Sequence, residues 1–147
     1  MIKQVSFLQN LEVIVPVIRT SYLESEDQNL SLKIDLHSLG EMEMEGRLVT
    51  LVNVGEDDKI TGLLIFNLYD NLHHAAQVFM ESRIFFIDPS MRGTSLLRDM
   101  LSVMEEVAKK IGVDKIHIGS RKRSAYFNRL GYEEDQVTYT KFIGESS

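Results

Sequence analysis

Ile84-Phe85-Phe86-Ile87-Asp88-Pro89-Ser90-Met91-Arg92-Gly93-Thr94-Ser95 is the stretch on which the fold turns. Its apolar run belongs to a longer strand, Gln77 to Ile87, closed at Asp88 because a residue before proline favours extended backbone. A glycine-containing turn follows. Then, from about Ser95 to Ile111, Leu97, Met100, Leu101, Met104, Val107, Ala108 and Ile111 line one broad helical face. Gly112 suits the left-handed position after a helix end. A strand that enters such a turn and opens a helix aims several backbone N–H groups and a helix N-terminus at one point. That arrangement suits a phosphate, to which Arg92 adds a charge-assisted hydrogen bond. Many strand–turn–helix units bind nothing, so a purely structural connection is the alternative.

Upstream, Ile2 to Phe7 reads as a first strand. Leu8, Leu11, Val15, Ile18 and Tyr22 recur at helical spacing, with Pro16 expected to kink that helix or mark a late start. Leu30, Ile34 and Leu36 to Leu39 suggest a second helix ending before Gly46. Arg47 to Val54, the turn Gly55-Glu56-Asp57-Asp58 and Ile60 to Leu68 form a hairpin. Downstream, Lys115 to Ile118 is a short strand, Ser124 to Leu130 a short helix stopped at Gly131, and Gln136 to Ile143 a closing strand. The order β, α, α, β, β, β, α, β, α, β predicts one α/β domain over residues 1–147, with a mixed, mostly antiparallel sheet flanked by helices.

Composition narrows the function. The 147 residues are 44% hydrophobic and 26% charged, as in an ordinary globular domain, and the absence of Cys excludes a cysteine nucleophile, an Fe–S cluster and a thiolate zinc site. The longest early apolar run, Val13 to Ile18, is broken by Pro16 and is far short of the roughly 20 residues of a spanning helix. No small-residue cleavage site follows it, so a cytoplasmic protein with no membrane partner is expected. The net charge of −6 is uneven: residues 1–60 carry 5 Lys/Arg against 11 Asp/Glu, and residues 61–147 carry 11 of each. An acidic chain is a poor nucleic-acid binder. The division suggests an anionic ligand on the second half and a cationic one near the first, or simply solvated charge. Adjacent His73 and His74 would point to opposite faces of a strand, and His37 and Glu41 lack a His-Glu-x-x-His pattern, so no metal site is expected.

Four segments in order resemble the GNAT superfamily of N-acetyltransferases, over nearly the whole chain. Arg92-Gly93-Thr94-Ser95-Leu96-Leu97 falls where that family carries Arg/Gln-x-x-Gly-x-Gly/Ala. Met100, Leu101, Met104, Ala108 and Gly112 match its long helix, Asp57 to Leu64 its second hairpin, and Ala125 to Tyr132 its late A-x-Y-x-x-x-G-F segment. The arrangement is also similar to short members found in phages. The departures are Ser95 and Leu97 in place of small residues that let the backbone approach a pyrophosphate, Phe127 in place of a tyrosine acid, and Lys122 where Asn is common.

The resemblance implies acetyl transfer from acetyl-CoA to an amine: a small cationic amine, a protein lysine or an N-terminus. It places the cofactor on the strand backbone at Phe85, Phe86 and Ile87, on the turn Arg92 to Leu97, and on Arg121 and Arg123, which would meet the 3′-phosphate or else form an exposed basic loop. An amine is protonated at neutral pH, so a base is useful. By register with family members that use a strand glutamate, Glu81 is the candidate, alone or through a water. Alternation puts Phe79, Arg83, Phe85 and Ile87 on its side of the strand, and a Glu81–Arg83 surface pair is the competing reading. Phe127 cannot donate a proton, which leaves Tyr126, Tyr132 and Tyr139 as candidate acids, or no acid at all. A homodimer follows family habit alone. The rival function is a non-catalytic CoA-binding or protein-interaction module on the same fold.

Overall fold

The computed structural model describes residues 1–25, 35–70, 77–119, 125–135, 139, 141 and 143–144. Its elements follow the order β1 (Ile2–Val5), a 3-10 turn (Leu8–Asn10), α1 (Leu11–Ser25), α2 (Leu36–Met44), β2 (Leu48–Val54), β3 (Ile60–Asp70), β4 (Val78–Ile87), a second 3-10 turn (Pro89–Met91), α3 (Leu96–Ile111), β5 (Lys115–His117) and α4 (Ala125–Arg129). The expected closing strand, apart from residues 139, 141 and 143, the start of the second helix at Leu30 and Ile34, and His73-His74 lie outside the described residues. One five-stranded sheet runs in the order β1-β2-β3-β4-β5. All neighbours are antiparallel except β4 and β5, which are parallel across the α3 crossover. The mixed, mostly antiparallel sheet is therefore as expected.

Two apolar layers cover the sheet. On one face Val49, Leu51, Leu64, Phe66, Leu68 and Met80 pack with Leu96, Met100, Leu101, Met104 and Ala108 of α3. On the other Leu48, Val52, Ile60, Leu63, Ile65 and Phe86 pack with Phe7, Ile14 and Ile18. β3 is buried from Gly62 to Leu68, as a strand covered on both faces must be, and it is correspondingly a near-continuous apolar run. Gly62 is needed beneath α3: a Cβ there would stand 2.5 Å from Met100 Sδ.

Three details correct the sequence expectations. The first strand ends at Val5, because Phe7 already has helical backbone and begins the 3-10 turn. α1 runs through Pro16, so the proline neither starts nor ends it. The inward side of α1 is Ile14 and Ile18, continuing from Phe7 and Leu11, whereas Leu8 is exposed and Val15 only half-buried. Apolar residues on both sides of that helix made the periodicity ambiguous by one position.

Much of the acidic charge of the first half has local employment. Glu43 accepts hydrogen bonds from Ser6 Oγ at 3.0 Å, from the Leu8 N–H at 2.9 Å and from the Phe7 N–H. It thus caps, from α2, the helical segment that leads into α1, where N–H groups lack internal partners. Glu41 pairs with His37 at 2.9 Å, and Glu45 with Arg47 at 2.7 Å. Asp35 caps α2 through the Ser38 N–H and Oγ, and these bonds hold its carboxyl below the ordinary value. Glu43→Ala strands three donors at once; we expect a loss of about 2 kcal/mol and a fall in Tm of roughly 5 °C, read by thermal unfolding, with Glu43→Gln intermediate.

Candidate functional site

The site is organised by one extra residue in β4. The β3–β4 register pairs Asn67 with Glu81 and Phe66 with Ser82, then Ile65 with Ile84, so Arg83 has no partner and forms a bulge. Each added residue reverses the faces of a strand. Val78 and Met80 before the bulge, and Phe85 and Ile87 after it, therefore all join the α3 side, while Ile84 and Phe86 join the α1 side. Glu81, opposite Asn67, shares the α1 side with Phe79, Ile84 and Phe86. The alternation expected from the sequence fails here: Phe85 and Ile87 are on the other face from Glu81.

Beyond Glu81 the sheet opens. β5 pairs with β4 only from Phe79–Lys115 to Glu81–His117. Among the described residues no strand pairs with the outer edge of β4 from Ile84 to Ile87, so the main-chain groups of Phe85, Phe86 and Ile87 include an unpaired edge. The fork lies at the carboxyl ends of two parallel strands, the place where open α/β sheets take ligands. Gly119 closes its far side, donating its N–H to Ser82 Oγ at 3.0 Å.

The turn after β4 completes the fork. Asp88 accepts from the Ser90 N–H and Oγ at 3.0 and 2.7 Å, and these bonds, with Lys59 3.4 Å away, hold its carboxyl below the ordinary value. Gly93 has φ +84, which a residue with a Cβ rarely adopts, and a Cβ there would meet nothing within 4 Å. The Thr94 N–H is used by Met91 O and the Leu96 N–H by Thr94 Oγ1. Those of Gly93, Ser95 and Leu97 have no partner among the described residues. Leu97 packs against the α3-side core, which takes its side chain off the turn. Ser95 is the exposed N-cap of α3, and its hydroxyl donates to Asp99 at 2.9 Å. Arg92 donates from Nε to Ile87 O at 3.0 Å, tying the turn to the strand end.

On the α1 side of the fork, Arg83 Nε donates to Oδ1 of buried Asn67 at 2.6 Å, drawing that guanidinium across to β3. Tyr69 meets Phe79 edge-on at 5.7 Å, and burial together with the Glu81 carboxylate pushes its hydroxyl above the ordinary value. Phe79 also meets His117 at 5.3 Å and carries Lys115 Nζ 5.8 Å above its ring. The sequence reading passed over Asn67, Tyr69 and His117, because nothing in one sequence announces a register. An isolated short strand after a crossover helix was the one available hint that His117 would lie beside β4.

The candidate acids are placed less favourably. Phe127 sits edge-on to Phe85 at 6.0 Å, within the α3-side core. Tyr132 donates its hydroxyl to Glu105 on α3 at 3.0 Å, and burial with that acceptor pushes its pKa strongly up, so it holds its proton there. Tyr126 lies under Arg129, 5.9 Å from the ring, and Tyr139 is exposed. Arg121 and Arg123 lie outside the described residues.

No family model matches the chain, and no curated protein matches it in sequence. Solved structures do match. A Trypanosoma brucei acetyltransferase superposes with a TM-score of 0.74 at 16% identity, covering 97% of this chain and 99% of that one. Glucosamine-6-phosphate N-acetyltransferase from Arabidopsis thaliana gives 0.73 at 12% identity, covering 98% of each. A GNAT family acetyltransferase from Staphylococcus aureus gives 0.70 at 17% identity, covering 97% and 98%. The chain has the fold of the GNAT acetyltransferases, as the sequence motifs implied.

Two outcomes follow for the site. Because the Asp88 carboxyl is depressed by the Ser90 bonds, the stability it lends is present above the ordinary carboxylate pKa of about 4 and is lost as pH falls through its lower folded value. Ser90→Ala moves that loss to higher pH, as a carboxyl NMR titration of Asp88 will record. Arg83→Ala leaves a buried amide oxygen on Asn67 without its donor and lowers stability by about 1–3 kcal/mol, measurable by urea unfolding.

Proposed function

We propose that this protein is an N-acetyltransferase that moves an acetyl group from acetyl-CoA to an amine, with Glu81 as the proton acceptor. The observation that carries the reading is the fork: β4 parts from β5 at Glu81 and runs on, six residues later at Ile87, into a turn whose Gly93, Ser95 and Leu97 N–H groups have no partner among the described residues. Such a turn fits a pyrophosphate, since its glycine stands in open space and its one bulky residue, Leu97, is committed to the core. The free edge of β4 fits an amide-bearing arm, which would extend the sheet by main-chain hydrogen bonds.

Acetyl-CoA supplies an activated acyl carbon. The chain has three tasks: to hold the thioester carbonyl against N–H groups of β4 near Phe86 and Ile87, to present the amine beside it, and to accept a proton. Donors fixed at a developing negative oxygen act without reorganisation, and one such donor is worth about 10²–10³ in rate. Glu81 is half-buried beside Phe79 and Tyr69 on the α1 side, where an acceptor would enter between α1 and the sheet. Polar turn residues at Arg92, Thr94 and Ser95 would hold phosphate, with Gly93 and Leu96 supplying backbone. A cytoplasmic setting and a homodimer are part of the same proposal. Among the described residues no helix is long and apolar enough to cross a membrane.

A second reading, CoA binding without turnover, is favoured by one feature. Phe127 takes the expected place of a phenol, and Tyr132 is committed to Glu105. A thiolate is a fair leaving group, so a missing acid does not by itself prevent transfer. Thermal unfolding with acetyl-CoA, CoA and ATP decides the cofactor. At about 100 times Kd a ligand adds ~2.7 kcal/mol, a rise of roughly 5–10 °C, expected with the two CoA species and not with ATP. No rise at millimolar ligand overturns the proposal. Glu81→Gln, with binding retained, is expected to lower turnover of an accepted amine by about 10²–10⁴; unchanged turnover removes Glu81 from the role of base.

A further inference from the structure

We infer that His117 is a second proton-accepting residue at the fork, acting with Glu81 on the amine. The inference deepens the acetyl-transfer reading and rests on it. Glu81 and His117 are the last paired residues before β4 and β5 separate. Partners in adjacent strands project to the same side, about 4.8 Å apart. The shared side is fixed by contact: the His117 ring meets Phe79 at 5.3 Å, and Phe79 lies two residues from Glu81 with the bulge still ahead. The imidazole and the carboxylate thus flank the mouth of the fork on the α1 side, the side from which an acceptor would come. The His117 side chain is 27% exposed, enough to exchange protons with solvent and too little to swing freely.

Carboxylates and an aromatic ring surround His117. Its Nδ1 lies 3.8 Å from Asp135 Oδ2, beyond hydrogen-bond length but within reach of charge attraction, and Glu81 is its register partner on β4. Of the neighbouring cations, Arg83 is bonded to Asn67, and Lys115, two residues from His117 on the same side of β5, stands over the Phe79 ring that His117 also meets. Tyr69 of β3 keeps its proton, and Tyr22 of α1, one turn beyond Ile18, is half-buried. Imidazole is the side chain that exchanges protons near neutrality, where a carboxylate alone is a weak base for an ammonium.

The step balances as follows. An ammonium acceptor gives its first proton to the Glu81 carboxylate, which passes it to the His117 imidazole, and the imidazolium releases it to solvent. The freed nitrogen lone pair forms the N–C bond to the acetyl carbon, and the C–S bond breaks with its electron pair on sulfur. The second nitrogen proton passes to the departing thiolate, leaving an amide and a thiol.

The test uses the full chain in three variants: His117→Gln, Glu81→Gln, and His37→Gln as a control on exposed α2. Acetyl-CoA is first added in a melt and in a spectrum of the histidine rings, with the His117 signal assigned by its loss in His117→Gln. A thermal shift together with movement of that signal, absent with ATP, is expected. Thiol release is then followed with spermidine, lysine amide and a tripeptide bearing a free N-terminus. With any that reacts, His117→Gln is expected to lower kcat by about 10–10² with KM for acetyl-CoA unchanged, and to remove the fall in kcat at low pH. His37→Gln should track the parent. A thermal shift with the His117 signal unmoved, or a low-pH fall that persists in His117→Gln, overturns the role of His117 alone. No thermal shift with acetyl-CoA overturns the acetyl-transfer reading itself and this inference with it.

Discussion

The extra residue at Arg83 is the constraint on which the rest of the structure depends. A strand of simple alternation would carry Glu81, Phe85 and Ile87 on one face, and the glutamate would lie among core residues beneath α3. The bulge divides β4 into two registers with β3, each burying its own apolar set. It leaves Glu81 on the α1 side while Phe85 and Ile87 still reach the α3 core. A bulge also bends its strand and increases its twist, and β5 stops pairing with β4 two residues before Arg83. Arg83 itself is held by a hydrogen bond to buried Asn67, so the irregularity is fastened rather than merely tolerated.

The electrostatics follow from how charges are used locally. The acidic first half suggests attraction for a cation, yet Glu43 caps the segment leading into α1, and Glu41 and Glu45 have partners within their own helix or its exit. Those charges keep their long-range field, screened over roughly 8–10 Å, but their short-range donors and acceptors are occupied. On the proposed reading, the described groups placed to meet an acceptor are Glu81, His117 and Asp135, with Tyr69 beside them. Such a mouth would favour an amine over an anion through local contact rather than net charge.

The fold was legible because its signals are local. Asp88-Pro89 ends a strand, Gly112 and Gly131 stop helices with φ of +91 and +92, and the α3 stripe has one period only. Helix α1 was legible in extent but not in face, because apolar residues occur around Pro16 on both sides. The site was only half legible. The turn from Arg92 to Leu97 announced itself by composition, but the bulge at Arg83 carries no glycine and no proline, and it reverses every later side chain. His117 was invisible for a related reason: its importance comes from standing opposite Glu81, a register set by packing of α3 and not by any residue near it in sequence.

The departures from the family motif then acquire different physical weights. Leu97 looks like an obstacle to a pyrophosphate in the motif, yet it is half-buried and packs against the α3-side core. Ser95 keeps its backbone N–H unengaged among the described residues, while its hydroxyl is occupied by Asp99. Phe127 is the departure with chemical consequence. It is wedged between Phe85 and Tyr132, so a phenol there would have to find a partner in an apolar corner. On the opposite face of the sheet, Glu81 and His117 share the last paired position of two diverging strands, which is where the proposed proton handling would lie. On the proposed reading the two faces of the sheet divide the labour, the α3 side packing the turn and the α1 side supplying the proton-accepting groups.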